Sequence, residues 1–266
     1  MGVRQTLEQL PRTAVAVMPS ISIRRRHWHN RNLQYGLKAP GPSTYFDDPR
    51  SDQFEKEYES AVVPIVLSEV KRSNERYAEH RSRVKKSRRL FLDFGCGVGN
   101  IAAGEGQLYA RLIEEFGWST CGFDFDPCAV GITRERLALQ LPGHDTSSMV
   151  VCKPSHKLQG RPRPLKFDVG LASRYLHHED EAAREELIAG WRPHFAMPWS
   201  SFIVIGPFQE DNPDREPVRN EFAHMPSIAE IRSHFEPLEL VWSQPVPYYP
   251  DEEKYRCCIF ANARYY

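Results

Sequence analysis

From position 89 onward the chain alternates between two rhythms of apolar residues. Short unbroken apolar runs read as strands buried on both faces, and apolar residues recurring every three or four positions read as helices. Seven runs have strand character: RLFLDF (89–94), STCGFDF (119–125), SMVVC (148–152), KFDVGLAS (166–173), SSFIVIG (200–206), LELVWS (238–243) and YRCCIFANA (255–263). Between them, Ile101, Leu108, Leu112 and Phe116 fit one helix, Ala183, Leu187 and Trp191 another, and 228–235 a short third. A further helix follows the second strand, with Asp126 as its N-cap and Pro127 in the first turn, where a missing N–H costs nothing. This alternation predicts an α/β fold: a doubly wound, mostly parallel seven-stranded sheet with helices on both faces.

Residues 1–88 read differently, as an N-terminal extension to a domain spanning 89–266. A Pro-, Gly-, Ser- and Asp-rich stretch at 38–52 is a linker or a turn-filled loop. Phe54, Tyr58, Val62, Val66 and Val70 then recur every four residues, which places them on one face of a helix, with Pro64 as a kink point.

Charge sharpens the division. The 266 residues carry 35 Lys/Arg and 35 Asp/Glu, a formal net charge of zero, which argues against a general nucleic-acid binder. Residues 1–89 hold 18 Lys/Arg against 10 Asp/Glu (+8), so of the 35 and 35 the remainder holds 17 against 25 (−8). RRRHWHNR (24–31) mixes basic and aromatic groups, which leaves RNA contact open. The six cysteines form no CxxC pair and fall in apolar settings, as small hydrophobes in a reducing compartment do. No apolar run is long enough for a membrane span. The expected location is the cytoplasm. The six Arg and single acid of the first 40 residues admit a mitochondrial presequence, and MGVRQT matches the loose myristoylation pattern.

The candidate chemistry begins where the first strand ends, in LFLDFGCGVGN (90–100). Glycines at 95, 97 and 99 permit positive φ and admit a ligand close to the backbone, with the N–H groups of the next helix turned toward it. Position 100 is Asn where a dinucleotide fingerprint wants a third glycine, and Glu105–Gly106 replace the Lys-Ser/Thr of a P-loop. What remains is Asp93-x-Gly95-x-Gly97-x-Gly99, joined to an acid, Asp124, at the end of the second strand. A carboxylate there is suited to both hydroxyls of a ribose.

Together these motifs resemble the class I, Rossmann-like S-adenosylmethionine-dependent methyltransferases, over roughly 89–264. The resemblance implies S-adenosyl-L-methionine as cofactor. Asp93, Phe94, Gly95, Cys96, Gly97 and Gly99 would hold its methionine portion, Asp124 its ribose and Phe125 its adenine, with Ser173 as a neighbour at the end of the fourth strand. The chain departs from the family at three places. Lys153 and Ser155 stand where an acid commonly meets adenine, WRPHFAMPWSS replaces a Pro-Gly-Gly turn, and Gly104 and Gly106 weaken the first helix.

At the reacting end, ASRYLHHEDE places His177 and His178 where a base could take a proton from an acceptor hydroxyl or amine. The alternative for the pair is packing for one and exposure for the other. Tyr45 and Phe46 of the extension, with Phe208 after the fifth strand, are the expected acceptor contacts. Gln209, Glu210 and Asp211 share that rim, and no metal site is expected. The acceptor is read as a small molecule methylated on oxygen or nitrogen. An RNA or protein methyltransferase using the basic segment stays open, as does an inactive partner with a methyltransferase fold.

Overall fold

A computed structural model describes residues 49–80, 88–152, 166–195, 197–215, 218–220, 223–247 and 254–266. A long helix α1 (Pro49–His80) precedes β1 (Leu90–Phe94), α2 (Asn100–Ala103), α3 (Leu108–Glu114), β2 (Ser119–Asp124), α4 (Pro127–Gln140), α5 (Thr146–Met149) and β3 (Val150–Cys152). Then come β4 (Val169–Ser173), α6 (Glu181–Trp191), β5 (Ser201–Pro207), a small hairpin β6 (Val218–Asn220) and β7 (Ala223–His224), α7 (Ile228–Phe235), β8 (Glu239–Val246) and β9 (Tyr255–Ala261). The hairpin is an element that apolar rhythm did not predict.

One sheet has the order β3-β2-β1-β4-β5-β9-β8, with β1 to β5 mutually parallel and β9 antiparallel to both β5 and β8. Strand order reverses between β1 and β4, the place where open α/β sheets bind ligands. Successive residues serve opposite faces. Phe91, Val169, Leu171, Ile203 and Ile259 face a core shared with α1, α3 and α4, while Leu92, Phe94, Phe202, Val204 and Phe260 face α6 and α7. The second face is aromatic: Phe94 stacks on Trp191 at 4.0 Å, and Phe235 on Phe260 at 4.6 Å.

Tyr58, Val62, Val66 and Val70 of α1 are fully buried against the first face, and each valine contributes about 1.5–3 kcal/mol relative to exposure. Pro64 lies within this helix on its exposed side. At the amino edge of the sheet, Arg89 pairs with Asp168 at 2.9 Å and donates to Ser73 Oγ of α1 at 2.6 Å. Its guanidinium is sandwiched between the rings of Tyr77 and Trp118, at 4.5 and 4.6 Å. Asp168 also accepts from Leu90 N–H and from Trp199 Nε1. The segment lacking Pro-Gly-Gly is therefore organised around the buried Trp199.

The single helix predicted over Ile101–Phe116 is in fact two, α2 and α3, broken at Gly104–Gln107. The cause is α1. A Cβ at Gly104 would lie 2.0 Å from Asn100 O and 2.2 Å from the Glu59 carboxylate, and one at Gly106 would lie 2.7 Å from Val63 Cγ2. The bare backbone forms a notch for Glu59, whose Oε2 accepts from Gly106 N–H at 3.3 Å. Gly104→Ala is expected to lose about 1–3 kcal/mol by overpacking. Gly131→Ala, in α4 where an added Cβ meets nothing within 4 Å, should gain about 0.5–1 kcal/mol. Thermal melts of the two variants should therefore shift in opposite directions.

Candidate functional site

The glycine bend is held by the neighbouring strand. Gly95 and Cys96 N–H groups both donate to Phe123 O, at 2.8 and 3.0 Å, and Gly97 N–H donates to Asp124 Oδ2 at 2.9 Å. The Thr133 hydroxyl of α4 donates to Gly97 O at 2.8 Å. Gly95, Gly97 and Gly99 have φ of 68°, 56° and 78°, all in the left-handed region where L side chains are strained. Their surroundings differ. A Cβ at Gly95 would strike the Tyr175 ring at 2.4 Å and one at Gly99 would strike Thr133 at 2.7 Å, whereas one at Gly97 would meet nothing within 4 Å. The first and last glycines serve packing, and the middle one borders open space.

Two buried carboxyls belong to the strand ends that carry the bend. Asp93 on β1 is buried, with Tyr109 Oη donating to its Oδ2 at 3.4 Å. Burial pushes its carboxyl up to about 7, opposed by the Tyr109 bond and assisted by the charge of Asp124. Asp124 is pushed up to about 6, chiefly by burial, although its oxygens accept from Asp126 N–H and Gly97 N–H. An ionised carboxylate offers about four acceptor positions, so Asp124 retains capacity for a ligand hydroxyl. Burial also pushes the Cys96 thiol well up, so it stays protonated.

Several expected contacts fall elsewhere. The Phe94 side chain belongs to the aromatic core, because alternation turns it away from Asp93. Phe208 was expected at the acceptor rim. It is buried in the same core. Glu210 accepts from Ile228 N–H at the start of α7, and Asp211 pairs with Arg256 at 2.5 Å, so this acidic rim is committed to structure. Phe125 is half-buried, and its carbonyl accepts from Cys152 Sγ. Tyr45, Phe46, Lys153 and Ser155 lie outside the described residues.

At the tip of β4, Ser173 Oγ is 2.9 Å from Tyr58 Oη of α1. His177 and His178 occupy a 3-10 turn (Leu176–His178), with ring centroids 3.8 Å apart. His177 Nδ1 is sealed from solvent, has no hydrogen-bond partner among the described residues, and faces the bare backbone of Gly206 on β5. Burial, then the charges of His178, Arg174 and Arg184, hold His177 well below the usual histidine range, so it is neutral at pH 7. Sequence reasoning missed Tyr58, Arg174 and Glu55 in this region. The available signal was the polarity of Glu55 and Glu59 on the otherwise apolar face of α1.

No model of a protein family matches the chain, nor does any curated protein sequence. Solved structures do match. Magnesium protoporphyrin IX methyltransferase from Synechocystis PCC 6803 with bound SAM superposes with a TM-score of 0.60 at 12% identity, covering 92% of this chain and 99% of that one. The fold is that of the class I methyltransferases. The same enzyme with bound SAH gives a TM-score of 0.56 at 13% identity over 97% and 99% of the two chains. Among the described residues of this methyltransferase fold, no helix is long and apolar enough to cross a membrane, and no group of three or more His, Cys, Asp or Glu could hold a metal ion.

The two raised carboxyls give a pH dependence with a definite sign. Between their ordinary value of 3.8 and the folded values of about 6 and 7, the folded chain binds protons that the unfolded chain has released. Their contribution to stability is therefore fully present below about pH 4 and is lost as pH rises through 7, at up to about 1.4 kcal/mol per pH unit for each group. In urea unfolding of ligand-free protein, Asp93→Asn should gain on wild type progressively from pH 4 to pH 7.

Proposed function

We propose that this protein is an S-adenosylmethionine-dependent methyltransferase acting on oxygen or nitrogen of a small molecule. The observation that carries the reading is the open space at Gly97, on a left-handed bend that follows the buried Asp93 and is held by the strand-end carboxyl of Asp124. The residues present fit the cofactor: a bend whose middle glycine borders open space, with two acids whose burial makes a cationic ligand favourable. The Synechocystis enzyme, whose name carries a small-molecule acceptor, supports that class of acceptor here.

The bound cofactor supplies an electrophilic methyl group on a sulfonium, which an aligned acceptor atom takes in line. The chain's own residues then have distinct tasks. Asp93 and the bend at Gly95–Gly99 receive the methionine portion, Asp124 the ribose and Phe125 the adenine. Ser173 lies beside the reacting end, where holding acceptor and donor in alignment supplies much of the rate. His177 and His178 are the groups that would take the proton an acceptor hydroxyl or amine gives up; His177 Nδ1, sealed against Gly206, is not the accepting atom. Tyr45 and Phe46 complete the acceptor side from the extension in this reading, and the location proposed is the cytoplasm.

Calorimetry with S-adenosylmethionine tests the proposal directly. Wild type should bind, and Asp124→Ala should weaken binding by about 10–100-fold, the range for losing a hydrogen bond to a charged group. Undiminished affinity in the variant would remove Asp124 from the ribose. A cation placed beside Asp93 lowers its pKa from about 7. Binding at pH 7 should accordingly release protons, seen as an enthalpy that varies with the ionisation enthalpy of the buffer, and Asp93→Asn should abolish most of that variation.

A further inference from the structure

Arg174 follows Ser173 at the tip of β4 with φ 52°, a backbone region that non-glycine residues seldom adopt. Its N–H donates to Ile205 O of β5 at 2.7 Å, and its guanidinium packs over the Tyr58 ring at 4.7 Å. Two parallel bonds, of 2.6 and 2.8 Å, run from that guanidinium to the buried carboxylate of Glu55 on α1. Glu55 Oε2 also accepts from Asn100 Nδ2 at 3.3 Å, and Asn100 opens α2 directly after Gly99. Arg136 of α4 donates to Asn100 Oδ1 and to Val98 O, both at 2.9 Å. A continuous polar chain therefore joins the tip of β4 to the far end of the glycine bend, and it passes through α1. These two places follow the carboxyl ends of β4 and β1, the neighbouring strands at the switch point where open α/β sheets form a ligand crevice.

Two apolar side chains would fasten α1 to the sheet equally well, because a buried ion pair loses in desolvation much of what it gains in attraction. They would not fix Asn100. A bidentate Arg–carboxylate pair sets both distance and orientation. We propose that Glu55 is a positioning residue for the cofactor: by holding Arg174 and Asn100 at once it sets the separation of the two strand ends and couples the seating of α1 to occupancy of the glycine bend. This rests on the methyltransferase reading above.

The test uses S-adenosylhomocysteine as probe with the full chain. Glu55→Leu combined with Arg174→Leu removes both charges; this variant should keep its melting temperature yet bind the probe about tenfold more weakly or worse. Glu55→Gln alone, which strands Arg174, should also bind weakly. In wild type the probe should slow trypsin cleavage after Lys56, an exposed α1 residue. Probe affinity within about twofold of wild type in either folded variant would overturn the positioning role while leaving the methyltransferase reading intact. Unchanged cleavage after Lys56 in probe-saturated wild type would do the same, whether or not the variants fold. A wild-type chain that fails to bind the probe would overturn both.

Discussion

The backbone bend after β1 must keep a left-handed path at three residues while leaving its middle one uncovered, and the pairing of β1 with β2 makes this possible. Parallel register places Phe94 beside Phe123, so Phe123 O meets two consecutive N–H groups of the bend, and Asp124 one residue further on meets a third. A buried carboxylate serving the loop backbone keeps the site formed without a ligand. Burial raises the pKa of that carboxyl against the pull of these backbone bonds, and it keeps spare acceptor capacity. Loop geometry and ligand electrostatics are thus two consequences of one strand-end carboxylate.

A second constraint comes from α1, which crosses one face of the sheet from edge to edge. Valines at helical spacing supply its adhesion, and polar contacts at its two ends supply its register. At the amino edge these are Ser73 and the Arg89–Asp168 pair; at the carboxyl edge they are Glu55, Glu59 and Tyr58. Adhesion without register would let the helix slide, since dispersion and the hydrophobic effect have little directionality. The end contacts are directional, and those at the carboxyl edge reach the site. This explains why acids interrupt an apolar stripe, and why α2 and α3 are separated by a glycine notch rather than fused.

Much of the fold was legible because strands buried on both faces require continuous apolar runs; the seven predicted strands all appear, although the edge strand β8 is largely exposed. The helix at 228–235 agrees to the residue, for its N-cap Ser227 and apolar face are local features. The failures share a cause. Ile101 to Phe116 keeps helical spacing, yet a neighbouring helix needs room at Gly104. Phe208 and the acids after β5 read as rim residues because they follow a strand end, but α7 and β9 fold back over them. Phe94 is adjacent to the motif and faces the opposite side of the sheet.

By itself the sequence determined the layer architecture, the position of the glycine bend and the identity of the two acids at the strand ends, since each follows from residue type and short-range spacing. Only the tertiary structure decided which glycine borders open space, that His177 Nδ1 is sealed, and that Glu55 joins Arg174 to Asn100. Those properties belong to the distances between segments far apart in the chain. No local rhythm encodes such distances; they arise when α1 packs across the ends of β1 and β4.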